Sequence, residues 1–342
     1  MRSTINDIAL RAGVSKATVS FAFNNPSKIS KDTYTRIMEI AGELGYVPDP
    51  VARTLAKKHT GSIGFLVPQA VHEVLQNPYI SEIIRGIGYV CDNEGLSLSI
   101  LSPLKGVLSQ TIRNAAVDGL VTLGIGPGMS ILELFYQRGL PFVTIDGKSD
   151  KMLVNIGIDD SAAAENLMDT VLAYGHRKIA IYVLKDVLLP DDADFSSIVN
   201  ECRLEGFRRS LAKKGIPLEK NSDIQIFYTD SSMEDARDIT HDLLALKNSP
   251  SVIICFADIQ TFGVYEECKR QGFVIPDTIS VISFDDIPFA RFMSPPLTTV
   301  RQPGFLKGQV AAEVLMDMLA KRTVSSIVMD TELIIRSSLA SV

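Results

Sequence analysis

From Ser62 onward the chain alternates short, wholly apolar runs with amphipathic segments, and this alternation restricts the fold more than any other feature. The runs are SIGFLVP, LSLSILS, GLVTLG, PFVTID, KIAIYVL, IQIFY, SVIICFA and SVISFDD. Strands read as continuous apolar runs when helices cover both faces of a parallel sheet. The intervening stretches Tyr79–Glu94, Ala162–Tyr174, Glu201–Lys214, Met233–Leu246 and Thr261–Gln271 carry apolar residues at helical spacing. Eight runs exceed what one five- or six-stranded doubly wound sheet holds, so the reading is two successive lobes. A length of 342 residues accommodates both lobes and a smaller domain besides.

The first 45 residues follow a different pattern. Ile5, Ile8, Ala9 and Ala12 recur behind Thr4, a favourable N-cap, and Gly13 ends the run. Ser15 caps a second helix from Lys16 to about Asn24, with Ala17, Val19, Ala22 and Phe23 as its apolar face. Ser30 caps a third, with Tyr34, Ile37, Met38, Ala41 and Leu44 on one side and Gly45 as its stop. Two helices joined by a tight glycine turn and braced by a third form a helix-turn-helix. Between Tyr46 and Gly61, YVPDPVARTLAKKHTG holds a short helix, Val51 to Lys57, with too little apolar surface to stand alone. It reads as a linker that folds with a partner.

Charge separates the same two regions. Residues 1–60 hold nine Lys and Arg against five Asp and Glu, leaving 25 against 35 for the remainder. A basic head on an acidic body suits a head that meets a polyanion. The second helix supports this. Ser15, Thr18, Ser20 and Asn24, flanked by Thr4, Ser30 and Thr33, offer short donors to phosphate oxygens, and small side chains let a helix approach the DNA backbone closely.

Other chemistry is weakly represented. GIGPG at 124–128 lacks both the dinucleotide spacing and a following Lys-Ser/Thr. The Asp285–Asp286 pair could suggest acid–base catalysis or Mg²⁺, but a family resemblance implies a strand-to-crossover corner there, and His176 has no nucleophile arrangement beside it. Cys91, Cys202, Cys255 and Cys268 are dispersed, which suits reduced thiols in the cytoplasm. Neither a membrane-spanning run nor a signal peptide is read. The expectation is therefore a cytoplasmic protein without catalytic residues, metal or cofactor.

The stretches TINDIALRAGVSKATVSFAFNN and ISKDTYTRIMEIAGELGYVPDPVARTLA resemble the DNA-binding head and hinge of the lactose/galactose-repressor family. The resemblance continues through NPYISEIIRGI, GLPFVTIDG, GHRKIAIYV, RLEGFRRSLAKKGI and PPLTTVRQP, in family order, over residues 4 to 336. It implies an α/β fold class: a three-helix helix-turn-helix head at 1–45, a hinge at 46–61, and a periplasmic-binding-protein-like core of two Rossmann-like lobes at 62–342. Lobe 1 is expected at about 62–159 and 289–321, and lobe 2 at about 160–288 and 322–342. It also implies a homodimer that binds double-stranded operator DNA and senses a small molecule, most simply as a repressor of a carbohydrate-use operon. A nucleobase stays open as an alternative to a sugar. The chain ends soon after the last strand, so a dimer is expected over a tetramer.

Residue by residue, the resemblance puts Lys16 and Ala17 at the positions that reach base edges. Phe21 stands where the family usually places a base-contacting arginine, and two readings remain open: contact with a thymine methyl, or packing against the third helix. Leu55 matches the leucine inserted into the minor groove, and packing between the two hinge helices of the dimer is the other role open to it; Arg53 and Lys57 are placed to neutralise phosphates. In the core, Asn77, Tyr79, Asp146, Arg203 and Asp258 correspond to effector-cleft positions, where arginine and aspartate offer polyhydroxyl ligands a fork of donors and paired acceptors. The acidic stretch Asp186–Asn200 follows no family pattern. The chain has no Trp, so any sugar stacking falls to Tyr79, Phe256 or Phe289.

Overall fold

The computed structural model describes residues 3–48, 59–104, 107–150, 152–186, 197–218, 223–246 and 248–342. The chain divides into two compact units, Met1–Thr60 and Gly61–Val342. The hinge helix expected at 51–57, with Arg53, Leu55 and Lys57, lies outside the described residues.

The smaller unit contains α1 (Ile5–Ala12), α2 (Lys16–Asn24) and α3 (Lys31–Glu43). Gly13 takes φ 63°, the left-handed conformation that lets α1 turn tightly into α2. The Ser15 hydroxyl accepts the Thr18 N–H at 3.1 Å, and Ser30 accepts that of Thr33 at 3.2 Å, so both helices start on their expected caps. Ile8, Ala9, Ala12, Val19, Ala22, Ile37 and Ala41 form the core. Phe23 packs on Tyr46, ring centroids 5.4 Å apart. Ala17, expected on the apolar face of α2, is exposed. So are Tyr34 and Met38, because a three-helix unit this small buries only the narrow stripe of α3 that carries Ile37 and Ala41.

The larger unit holds two six-stranded sheets. The first consists of β1 (Ser62–Leu66), β2 (Ser97–Leu101), β3 (Gly119–Leu123), β4 (Phe142–Ile145), β5 (Asn155–Ile158) and β11 (Ile327–Met329). The second consists of β6 (Ile179–Leu184), β7 (Ile224–Thr229), β8 (Val252–Cys255), β9 (Ser280–Asp285), β10 (Thr298–Arg301) and β12 (Glu332–Ile334). Spatial orders are 11-5-4-3-1-2 and 12-10-9-8-6-7, so the two lobes repeat one winding. All pairs are parallel except β10 with β12.

Lobe 1 carries α4 (Val71–Gln76), α5 (Pro78–Glu94), α6 (Leu108–Asn114) and α7 (Ile131–Arg138). Lobe 2 carries α8 (Asp160–Ala173), α9 (Ile198–Ala212), α10 (Met233–Leu244) and α11 (Asp258–Gln271). The helix α12 (Gly304–Leu319) returns to lobe 1 and packs on α5. Backbone meets backbone there: a Cβ on Gly86 would lie 2.0 Å from the Phe305 carbonyl oxygen, and one on Gly308 2.1 Å from that of Ile83. Only glycine permits that approach.

The lobe boundaries differ from expectation at two crossings. The chain leaves lobe 2 between Arg301 and Gly304, not near 288, because β10 stays in the second sheet, paired with β9 from Thr298↔Ile282 to Arg301↔Asp285. The chain recrosses between Met329 and Glu332, not near 322, because β11 pairs with β5 on lobe 1. Residues 289–301 therefore belong to lobe 2, and 322–329 to lobe 1.

Candidate functional site

In the head, the described residues expected to contact DNA are exposed or half-buried. Thr4, Ser15, Lys16, Ala17, Phe21 and Ser30 are exposed, and Thr18, Ser20, Asn24 and Thr33 half-buried. Several of the hydroxyls are engaged locally. Those of Ser15 and Thr18 lie 2.9 Å apart, Ser30 donates to Thr33 at 2.9 Å, and the Asn24 amide donates to the Ser20 carbonyl at 3.1 Å. These bonds fix side-chain directions before any phosphate arrives. Phe21 is 37 % exposed and stands outside the head's core, with the Lys28 ammonium 5.1 Å from its ring centroid. The ring is therefore partly accessible and lies outside the apolar cluster that joins the three helices.

In the larger unit a cavity of about 160 Å³ opens between the lobes at the carboxyl ends of the strands, the position at which doubly wound sheets take ligands. Asn77, Tyr79, Asp146 and Arg203 line it as expected. Phe256 lines it too, whereas Phe289 is exposed and outside it. Asn77 caps α5 by accepting the Tyr79 N–H at 3.0 Å, and its amide donates across the cleft to the Ser231 hydroxyl at 3.3 Å.

Asp146 follows β4 and Asp285 ends β9, the equivalent strands of the two lobes. Both have positive φ, 52° and 117°, a conformation disfavoured for a residue with a Cβ. Both residues line the cleft. The Tyr79 hydroxyl donates to Asp146 Oδ2 at 2.7 Å; burial and the Asp146 charge push its pKa well up, so it stays a donor. Opposite, Arg203 is buried beneath the cleft. Its Nε donates to Asp160 Oδ1 at 2.8 Å, an Nη donates to the Phe256 carbonyl, and its guanidinium lies 4.0 Å from the Phe284 ring centroid. Stacking and hydrogen bonds thus hold the fork rigid.

Asp258 is not among the cleft residues. It begins α11, is fully buried, and accepts from the Thr299 hydroxyl at 2.8 Å and the Ile287 N–H at 2.9 Å. Its backbone N–H approaches Asp285 Oδ2 at 3.3 Å. The residue ties the end of β9 to β10 from behind, and the carboxylate that faces the cleft is Asp285. Reading sequence alone also missed Gln302, whose amide donates to Asp285 Oδ1 at 2.8 Å, and the buried Lys307 behind it. A signal for Lys307 existed: in GFLKGQVAAEVL it shares the helix face of Gly304, Gly308, Ala311 and Leu315, all buried. Asp286, read as part of a corner, is held by Arg301 at 2.8 Å and Arg336 at 2.7 Å. Among the described residues no group of three His, Cys, Asp or Glu is placed to hold a metal ion, and no helix is long and apolar enough to cross a membrane.

Residues 4–49 match the bacterial regulatory proteins of the lacI family, and residues 168–339 match the periplasmic binding protein-like domain. The chain is 31% identical to the HTH-type transcriptional repressor CytR of Escherichia coli, over 98% of this chain and 96% of that protein. It is also 31% identical to the HTH-type transcriptional repressor PurR of Photobacterium profundum, over 98% of each. Among solved structures, the Lac repressor dimer bound to operator and the anti-inducer ONPF superposes with a TM-score of 0.79 at 23% identity, covering 100% of both chains, which shows a common fold.

Proposed function

Because this chain belongs to the lacI family of bacterial regulatory proteins, we propose that it is a cytoplasmic repressor that binds operator DNA as a homodimer and answers to a small polyhydroxyl molecule held between its lobes, with no catalytic step. The observation that carries the reading is the accessible surface of α2, where Lys16, Ala17 and Phe21 are exposed near the hydrogen-bonded hydroxyls of Ser15 and Thr18. Base edges would meet the three exposed side chains and phosphates the hydroxyls.

A ligand that bonds to Asp146 in lobe 1 and to Arg203 or Asp285 in lobe 2 favours one lobe arrangement over others. It shifts the population of DNA-binding states by its difference in affinity for them. A sugar of the controlled operon suits the polar floor. A nucleoside is the second reading, supported by the apolar walls that Leu123, Leu184, Ile198 and Val199 supply beside that floor. Selection of binding sites from random duplexes, with and without a panel of sugars and nucleosides, tests both parts. No enriched sequence removes the repressor reading; enrichment that no ligand alters removes the effector.

Two substitutions probe the DNA contacts. Phe21→Ala is expected to relax base preference at one position per half-site by about 1 kcal/mol, with head stability changed by less than that. A lower melting temperature with unchanged preference means the ring serves packing. Leu55→Ala is expected to weaken operator binding by a few kcal/mol while leaving random-duplex binding nearly intact, as for a lost minor-groove wedge. Equal loss on both duplexes, measured by gel shift at matched salt, sinks that assignment.

A further inference from the structure

Lys307 is fully buried, which a lysine tolerates only when its charge is matched and its donors are used. Its ammonium has three hydrogens and meets three acceptors: Asp146 Oδ1 at 2.5 Å, Gln302 Oε1 at 2.7 Å and the Tyr79 hydroxyl at 2.9 Å. All three acceptors line the cleft, while Lys307 stands behind them. Each Asp146 oxygen already accepts one bond, from Lys307 or from Tyr79, so its charge is balanced before a ligand arrives. Two of its roughly four acceptor sites remain for hydroxyl hydrogens.

The other cations at the cleft are matched too. Arg203 is paired with Asp160 at 2.8 Å, and Lys185 with Asp230 and Asp235, both at 3.2 Å. Asp285 accepts the Gln302 amide, and burial pushes its pKa up to about 7. Among the described residues, each cation at the cleft is thus already matched by a carboxylate of the protein, and none is left over for an anionic ligand.

We propose that Lys307 fixes the charge class of the effector: it supplies the cation that Asp146 would otherwise demand from a ligand, and so reserves the cleft for an uncharged polyhydroxyl molecule. The inference rests on the cleft being the effector site. With Lys307→Met, Asp146 becomes a buried carboxylate without a counter-ion, and a ligand ammonium gains the place of the lost side chain.

The test is calorimetry on the full-length protein with matched probes: D-ribose and ribose 5-phosphate, cytidine and cytidine 5′-monophosphate, D-glucose and D-glucosamine. Wild type is expected to bind an uncharged probe at least about tenfold more tightly than its charged partner. Lys307→Met is expected to lose at least about tenfold for that probe and to prefer the amino sugar over glucose. Lys307→Arg keeps the charge and is expected to keep the uncharged preference. Should Lys307→Met not fold, the double variant Lys307→Met/Asp146→Asn, which removes both charges together, is expected to fold and to show no preference for the amino sugar. A charged probe that binds wild type as well as its neutral partner, an unchanged preference in Lys307→Met, or silence of every uncharged probe overturns the proposal. Failure of the cleft reading is separate: an uncharged probe would then bind wild type and Arg203→Ala equally.

Discussion

Arg203→Ala is expected to destabilise the core by about 3–5 kcal/mol and to abolish the effector response, the largest combined effect of any single change considered. The side chain is 3 % exposed, and its removal leaves Asp160 buried without a counter-ion. It also removes the donor to the Phe256 carbonyl and the cation stacked on Phe284. Lysine is a poor substitute, because a point charge on a flexible stem reproduces neither the fork nor the stacking. Urea unfolding measures the first half. A gel-shift titration with effector measures the second, and operator binding without effector is expected to persist at temperatures where the variant remains folded. A stability loss below about 1 kcal/mol means that the Arg203–Asp160 pair is dispensable.

The second large effect is a dependence on pH. Burial lifts the Asp285 carboxyl from the ordinary 3.8 to about 7. Below the lower value both folded and unfolded chains hold the proton, and the full stability is present. Between about 4 and 7 the unfolded chain has released its proton while the folded chain keeps it, so stability falls as pH rises, and the loss is complete above about 7. Three units at 1.36 kcal/mol each put the loss at about 4 kcal/mol. Asp258 and Asp160 are raised by burial as well and act in the same sense. His176, lowered by burial, acts in the opposite sense below 6.5. The difference between wild type and Asp285→Asn isolates the effect: the wild-type curve from pH 5 to 8 is expected to fall relative to the variant's. Parallel curves refute the assignment.

Local chemistry explains which parts of this molecule could be read from its sequence. The head was legible because each helix carries its own start and stop: Ser15 and Ser30 cap, and Gly13 turns. The long apolar strands were legible for the same reason. The strands NIGI, TTVR, IVM and ELI were not, since three or four residues carry no period and their place is set by partners far along the chain. Missing β10 and β11 is what displaced the two lobe crossings.

The cleft divides similarly. Asn77, Tyr79, Asp146 and Arg203 were found through motifs, yet Asp258 and Asp285, both acids at strand ends, exchange roles that only packing decides. Lys307 and Asp146 are 161 positions apart. No local pattern links them; their pairing exists only once α12 has crossed back onto lobe 1.

That return crossing also bears on how the protein is made. The first five strands of lobe 1 are synthesised well before lobe 2, but α12, which covers their sheet, and β11, which closes its edge, come almost last. Vectorial synthesis favours folding each domain as it emerges. Here lobe 1 must wait on the ribosome with β5 unpaired on one side and α5 uncovered, while lobe 2 grows through the gap in its chain. The lobes share one winding but cannot fold as successive independent modules. Neither sheet has its full set of strands until β11 and β12 have emerged, so a ribosome stalled anywhere before β11 leaves both unfinished.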